Sequence, residues 1–179
     1  ILGPTFRPHG QLRVATVGKP HNLHPFSNWA DVNQLRSRCV PALASLCVGC
    51  YEKFAPSLAT KIEERGPGEY WIHLREGVYW QPLSLEHFGG RLELAPHFFK
   101  KHPVTADDFK FFFDVAMNPY VQEASSLRNY IGEIEELRVL DPLTFVVRWR
   151  TQLVDEAPKA KYIAEGWTLS LHPLPCFVY

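Results

Sequence analysis

Residues 104–119 read VTADDFKFFFDVAMNP, a helix with its start and stop written into it. Thr105 suits the N-cap, because its hydroxyl can accept from an orphan N–H of the first turn. Asp108 stands three residues on, where a carboxylate reaches back to the N-cap amide. Asp107 and Asp108 put negative charge at the end of the helix that favours it. Phe109, Phe112, Phe113 and Ala116 fall at i, i+3, i+4 and i+7, one apolar stripe. Phe111 and Val115 widen that stripe, which predicts burial on more than one side. Asn118-Pro119 stops the helix. A phenylalanine stripe at this spacing is core, and no chemistry is assigned to it.

Outward from the helix, the chain reads as strands. Residues 60–64 and 69–74 are two strand-like runs joined by Arg65-Gly66-Pro67-Gly68, a hairpin turn. Tyr70, Ile72 and Leu74 lie on one face, Trp71 and His73 on the other. Residues 78–80 are expected to continue this sheet after Arg75-Glu76-Gly77. Residues 131–140 and 144–150 form a second hairpin across Asp141-Pro142. Both belong to one sheet packed on helix 106–117, because Ile72, Val146 and Trp149 need an apolar partner and the stripe is the largest on offer. Residues 118–129 are a loop or short helix. Upstream, residues 11–17 (QLRVATV) alternate as a strand does, and Gly18-Lys19-Pro20 breaks it. Residues 31–46 read as helical, divided into a helix to Cys39 and a second short one from Pro41. Downstream, residues 155–164 can form a helix with Pro158 in its first turn, and residues 167–171 a short strand.

Composition narrows the function classes. The chain has 179 residues, 19 Lys plus Arg and 19 Asp plus Glu, so its formal charge is zero. A nucleic acid or an anionic membrane surface as main partner would call for a basic excess. No run of eighteen apolar residues occurs, so no membrane-spanning helix is predicted. The first residues, ILGPTFRPHG, lack a charged region followed by an apolar run, so no secretory signal is read there. Cys47-Val48-Gly49-Cys50 is a C-x-x-C, but no second pair completes a zinc knuckle and the motif ends an apolar run, not a strand. Cys39 paired with Cys47 or Cys50 is the disulfide that proximity would allow in an oxidising compartment. His21, His24, His97 and His102 have no helical His-x-x-x-His with a nearby acid. No nucleophile elbow, phosphate loop or dinucleotide fingerprint is present. Glu135 and Glu136 sit in a strand-like run, where neighbours point to opposite faces, so they are not read as an acid/base pair. No enzyme, cofactor or metal is expected.

Three segments in order carry a resemblance: LREGVYW at 74–80, VTADDFKFFFD at 104–114, and EELRVLDPLTFVVRW at 135–149. Together they resemble the family 5 extracellular solute-binding proteins, the oligopeptide-, dipeptide- and nickel-binding proteins of ABC importers. Pro56-Ser57-Leu58-Ala59 matches the family's "Pro-x-Leu-Ala" step, and Leu23-His24-Pro25 its "Leu-x-Pro" element. The resemblance implies an α/β fold with a mixed sheet packed on helices, an α+β subdomain set on part of a type II periplasmic-binding-protein lobe. By position, residues 11–45 correspond to part of lobe one, 46–168 to the inserted subdomain and 169–179 to the return to lobe one, with the second lobe absent. The residues that follow the "Leu-x-Pro" element line the ligand cleft in the family. Carried over, they are Ser27, Asn28, Trp29, Ala30 and Asp31; Asp31 also suits the N-cap of the next helix.

The sequence departs from the family in three places. Residues 81–102 replace a short Asp-Gly turn and read as a surface insertion, with a short helix near 96–100. Ala44-Ser45-Leu46-Cys47 stands where the family shows "Tyr/Phe-Glu-Gly-Leu". Cys176-Phe177 replaces a Lys-His pair near the end. The resemblance implies an N-terminal portion of a peptide-binding protein, periplasmic or extracellular and lipid-anchored at full length. Its partners would be a peptide ligand and a membrane permease, with self-association through an exposed apolar wall that includes Trp29. Two other readings stay open: a small extracytoplasmic metal or redox protein using Cys47, Cys50 and the histidines, and a stand-alone interaction module.

Overall fold

Two hairpin turns set the order of the main sheet. In the computed structural model, residues 24–26, 39–46, 54–82, 96–150 and 165–178 are described. β1 (Ala44–Leu46) and β2 (Phe54–Pro56) form an antiparallel ribbon. β3 (Ala59–Gly66) and β4 (Glu69–Leu74) are joined by a tight turn in which Gly68 adopts φ 71°, a left-handed conformation that glycine takes without a Cβ clash. β5 (Ile134–Asp141) and β6 (Thr144–Trp149) turn at Asp141-Pro142. There the Asp141 carboxylate accepts from the Leu143 N–H at 2.8 Å. These last four strands make one sheet in the order β3-β4-β6-β5. Within the described residues every strand pair is antiparallel.

Register sorts the side chains. Ile72 faces Ile62 on one side and Phe145 on the other, and Tyr70 faces Val147, so Tyr70, Ile72, Leu74, Phe145, Val147 and Leu137 share the inner face. All six are buried. The helix lies on this face. α1 (Ala106–Met117) starts and stops as the sequence predicts, and Phe109 stacks on Phe145 with ring centroids 5.0 Å apart. The Ala106 N–H donates to Pro142 O at 2.8 Å, and the Leu74 N–H to Leu143 O at 2.7 Å. The Asp-Pro turn therefore fixes both the helix start and the end of β4. At the other end, Arg128 donates to the carbonyls of Ala116, Asn118 and Val121, each at 2.9 Å. It satisfies oxygens that the helix end leaves open. Arg128 comes from α2 (Ser125–Ile131), which follows a 3-10 turn, Gln122–Ala124.

Several local expectations are corrected. Residues 78–80 do not extend β4. Gly77, at φ 73°, turns the chain away, and Tyr79 makes an isolated antiparallel bridge to Pro103. Strand β5 begins at Ile134, because Ile131 still belongs to α2. In place of a second short helix after Pro41, residues 44–46 are strand β1. Residues 165–169 are helical, not a strand; the Ser170 N–H donates to Gly166 O at 3.1 Å, a helical i→i−4 bond. A short apolar run fits either period, and packing decided it. Glu135 and Glu136 do not diverge: a register shift after Ile134 lets both carboxylates meet Arg148, each at 3.2 Å. Cys39 is a free, exposed thiol; its candidate partners Cys47 and Cys50 lie outside the described residues. The 3-10 helix Pro96–Phe99 stands where a short helix is expected. Expectations for residues 11–17, 31–38, 47–50, 83–95 and 155–164 lie outside the described residues.

Candidate functional site

The site begins at the loop that leads into the predicted cleft residues. His24-Pro25 turns the chain, and the Phe26 N–H donates to His24 Nδ1 at 3.3 Å. Phe26 is then 4% exposed, its ring 5.2 Å from that of Phe112. The next residues are the five candidates. Ser27, Asn28, Trp29, Ala30 and Asp31 lie outside the described residues. What is in view is their mount: Phe26, seated on α1.

Two further segments meet the same frame. Leu43 is fully buried; its N–H donates to Leu171 O at 3.2 Å, and its carbonyl accepts from Ser57 and Ala59 at 3.0 Å. It thus joins the first ribbon to the C-terminal segment. That segment is tied to α1 by Asp108. The Asp108 backbone carbonyl accepts from the Leu174 N–H at 3.1 Å. One carboxylate oxygen, Oδ1, accepts from the Cys176 N–H at 3.0 Å. The other, Oδ2, accepts from the Trp80 Nε1–H and the Thr105 N–H, both at 3.0 Å. Asp108 is 1% exposed. A buried carboxylate is tolerated when donors surround it, and here three N–H groups donate to its two oxygens. The predicted capping role is real, and it is the smaller part of what Asp108 does.

The insertion has a closed neck. The Trp80 N–H donates to His102 O at 2.8 Å, and the Val104 N–H to Val78 O at 2.9 Å. His102 stacks on Phe177 with centroids 3.9 Å apart, and Lys101 lies 4.0 Å over the Tyr79 ring. The excursion therefore leaves and rejoins the fold at one place, next to the C-terminal segment.

Electrostatics separate the two faces of the sheet. On the outer face Lys61 and Arg65 flank Glu63 and hold its carboxyl down at about 2. Arg65 stacks over Trp71 at 3.9 Å, and the Trp71 Nε1–H donates to Glu69 at 2.7 Å. On the inner face, burial, with the Glu64 and Glu165 carboxylates, pushes the Tyr70 phenol up to about 12. Burial and the adjoining Asp108 carboxylate push the Cys176 thiol up to about 11. Such a thiol stays protonated and unreactive near neutrality. A concavity of about 260 Å³ opens between Ala44, Ala59, Ile62, Glu165 and Leu169. Its lining mixes apolar side chains with the charged Lys61 and Glu165. Among the described residues no three His, Cys, Asp or Glu side chains gather as a metal site would need, and no helix is long and apolar enough to cross a membrane.

The polar groups gathered at Asp108 thus hold backbone in place. Asp108, Trp80, Phe26 and Leu43 were not singled out from sequence as site supports. Trp80 and Asp108 are 28 positions apart, and Asp108 and Cys176 are 68 apart; no local pattern encodes such a pairing. The one available signal was an acid inside an apolar helix face.

Comparison with known proteins places this frame. The model of the bacterial extracellular solute-binding proteins, family 5 middle, matches residues 53–167. Among solved structures, AgaA of A. tumefaciens R10, in complex with agropinic acid, is similar at 18% identity and TM-score 0.57; the alignment covers 87% of this chain and 27% of that one. AppA, the oligopeptide-binding protein of Bacillus subtilis in complex with a nonapeptide, is similar at 15% identity and TM-score 0.57, covering 85% of this chain and 25% of that one. DppA of Helicobacter pylori, in complex with the peptide STSA, is similar at 17% identity and TM-score 0.54, covering 81% and 30%. The chain spans about a quarter to a third of the length of these structures. No curated protein matches the sequence.

Proposed function

Because the chain belongs to the bacterial extracellular solute-binding proteins of family 5, we propose that it forms part of a peptide-binding protein serving uptake through an ABC importer. The observation that carries this is the family match over residues 53–167, most of the described frame. The α/β fold that it shares with the three structures above agrees with it. In this reading the role is binding and delivery without turnover. The ligand is a short peptide held extended, and the partner is a membrane permease. The place of action is outside the cytoplasmic membrane, with a lipid anchor on the full-length protein.

The division of labour follows the same reading. Residues 11–45 and 169–179 belong to the ligand lobe, and residues 46–168 are a subdomain inserted into it. The Leu43–Leu171 hydrogen bond supports this, because it brings the two proposed lobe segments side by side. Ser27, Asn28, Trp29, Ala30 and Asp31 are the proposed ligand contacts, presented from the Phe26 anchor on Phe112.

Isotope-labelled chain titrated with a pool of short peptides tests the location. Shift changes at about 10 mM peptide, far above an ordinary cleft affinity, are expected in residues 24–46 and 171–178. Changes confined to the outer sheet face around Trp71 and Arg148, or none at all, would overturn the reading.

A further inference from the structure

Asp108 and Phe112 are one helical turn apart on α1. Phe112 seats the loop that enters the candidate ligand residues. Asp108 receives the Leu174 and Cys176 amides of the C-terminal segment, the first on its carbonyl and the second on Oδ1. The same segment carries Leu171, whose carbonyl accepts from Leu43. One helix therefore mounts two stretches of chain that are far apart in sequence.

We propose that Asp108 is a positioning residue, a latch whose carboxylate fixes the path of residues 174–178 against α1, the helix on which Phe112 seats the other bordering segment of the ligand wall. The consequence for the wall rests on the function proposed above. The latch itself does not, and its test uses no ligand, so the two can fail separately.

The geometry predicts which bonds an amide would keep. Oδ2 serves two donors, Trp80 Nε1–H and Thr105 N–H, while Oδ1 serves one, Cys176 N–H. Asparagine has a single acceptor oxygen. In Asp108→Asn that oxygen keeps the two donors, and the amide nitrogen then faces the Cys176 N–H, donor against donor. The substitution selectively frees the C-terminal segment and removes the negative charge beside the Cys176 thiol. Trp80→Phe does the opposite: it deletes one donor on the far side and leaves the bond to Cys176 intact.

The experiment is site-resolved alkylation at pH 8, with Cys39 as internal reference, since both it and Cys176 are free, exposed thiols. A thiol returning from about 11 to 9.0 gains at most about a hundred-fold in thiolate. Because burial contributes part of the shift, the expected acceleration at Cys176 in Asp108→Asn is about ten-fold or more, with Cys39 unchanged. Trp80→Phe should leave both rates within about two-fold. An unchanged Cys176 rate in folded Asp108→Asn, or Cys176 and Cys39 rising together, overturns the latch. Should Asp108→Asn fail to fold, amide exchange in the unaltered chain decides. Protection of the Cys176 amide, the one that donates to the carboxylate, upholds the latch, and unprotected exchange there overturns it.

Discussion

Tyr70 carries a polar atom that the fold leaves unsatisfied. Its ring is 3% exposed, and its hydroxyl has no hydrogen-bond partner among the described residues. A buried hydroxyl without a partner is destabilising by about 1–3 kcal/mol relative to a satisfied one, and removing it removes that cost. Tyr70→Phe is therefore expected to be neutral or to stabilise by about 1 kcal/mol in denaturant melts at pH 7. The phenol also makes a pH-dependent contribution whose sign is fixed. Its folded value is raised to about 12 from 10.0, so the folded state favours the protonated form. That contribution is fully present below pH 10 and is lost as pH rises toward 12. The variant lacks the group, so its advantage over the natural chain should be constant below pH 10 and grow above it. A gap that shrinks above that pH would show the phenol ionising more easily in the fold than outside it. Glu63 illustrates the opposite sign: its depressed carboxyl favours the fold above 4.5 and ceases to do so as pH falls through about 2.

Helix α1 is the element on which the others are hung, and its Phe112 is the test of that. Phe112 is 7% exposed, packed against Phe26. Phe112→Ala is expected to destabilise by about 3–5 kcal/mol, the range for core aromatics. A loss under about 1 kcal/mol would show that the helix does not organise the core. This much was legible from sequence: the cap, the stripe, the stop and the two hairpins are local patterns, and each formed where its pattern lay except that β5 starts at Ile134, three residues late. What was not legible depends on contacts distant in sequence. Residues 78–80 have strand composition, but Gly77 redirects them to Pro103. Residues 167–171 alternate as a strand would, yet the run is helical through 169, with Thr168 accepting from Trp149 Nε1–H at 2.9 Å. Of the candidate site, the anchor at Phe26 followed from neither periodicity nor motif. The insertion gives a second test at this scale. Its neck is closed by backbone bonds between residues 78–80 and 102–104, so residues between should contribute loop entropy and little else. Replacing 83–95 by Asp-Gly while keeping His102 on Phe177 is expected to change stability by about 1 kcal/mol or less. Collapse of the fold in a thermal melt would place that segment in the core.

For the molecule as a whole, the proposed function raises the question of how tightly part of a ligand wall can hold a ligand. The structures it resembles are about three times as long, and the alignments cover only 25–30% of them. A cleft binder of micromolar affinity has about −8 kcal/mol of net binding free energy. That net already contains the loss of translational and rotational freedom, about 4–15 kcal/mol. The favourable contacts must therefore be larger than the net by that amount. If one wall supplies half of them, the rigid-body cost stays nearly whole while the gain is halved. The net affinity then falls by more than half, to about −4 kcal/mol or weaker, which is a millimolar dissociation constant. Ligands that contact mainly through backbone hydrogen bonds fare no better, because each such bond is worth only about 1 kcal/mol net once water competes for it. Calorimetric titration of this chain with short peptides is expected to give dissociation constants of about 1 mM or higher. Binding at or below about 10 μM would mean that these 179 residues hold a complete site. The proposal that the chain is part of a larger peptide-binding protein would then have to be abandoned.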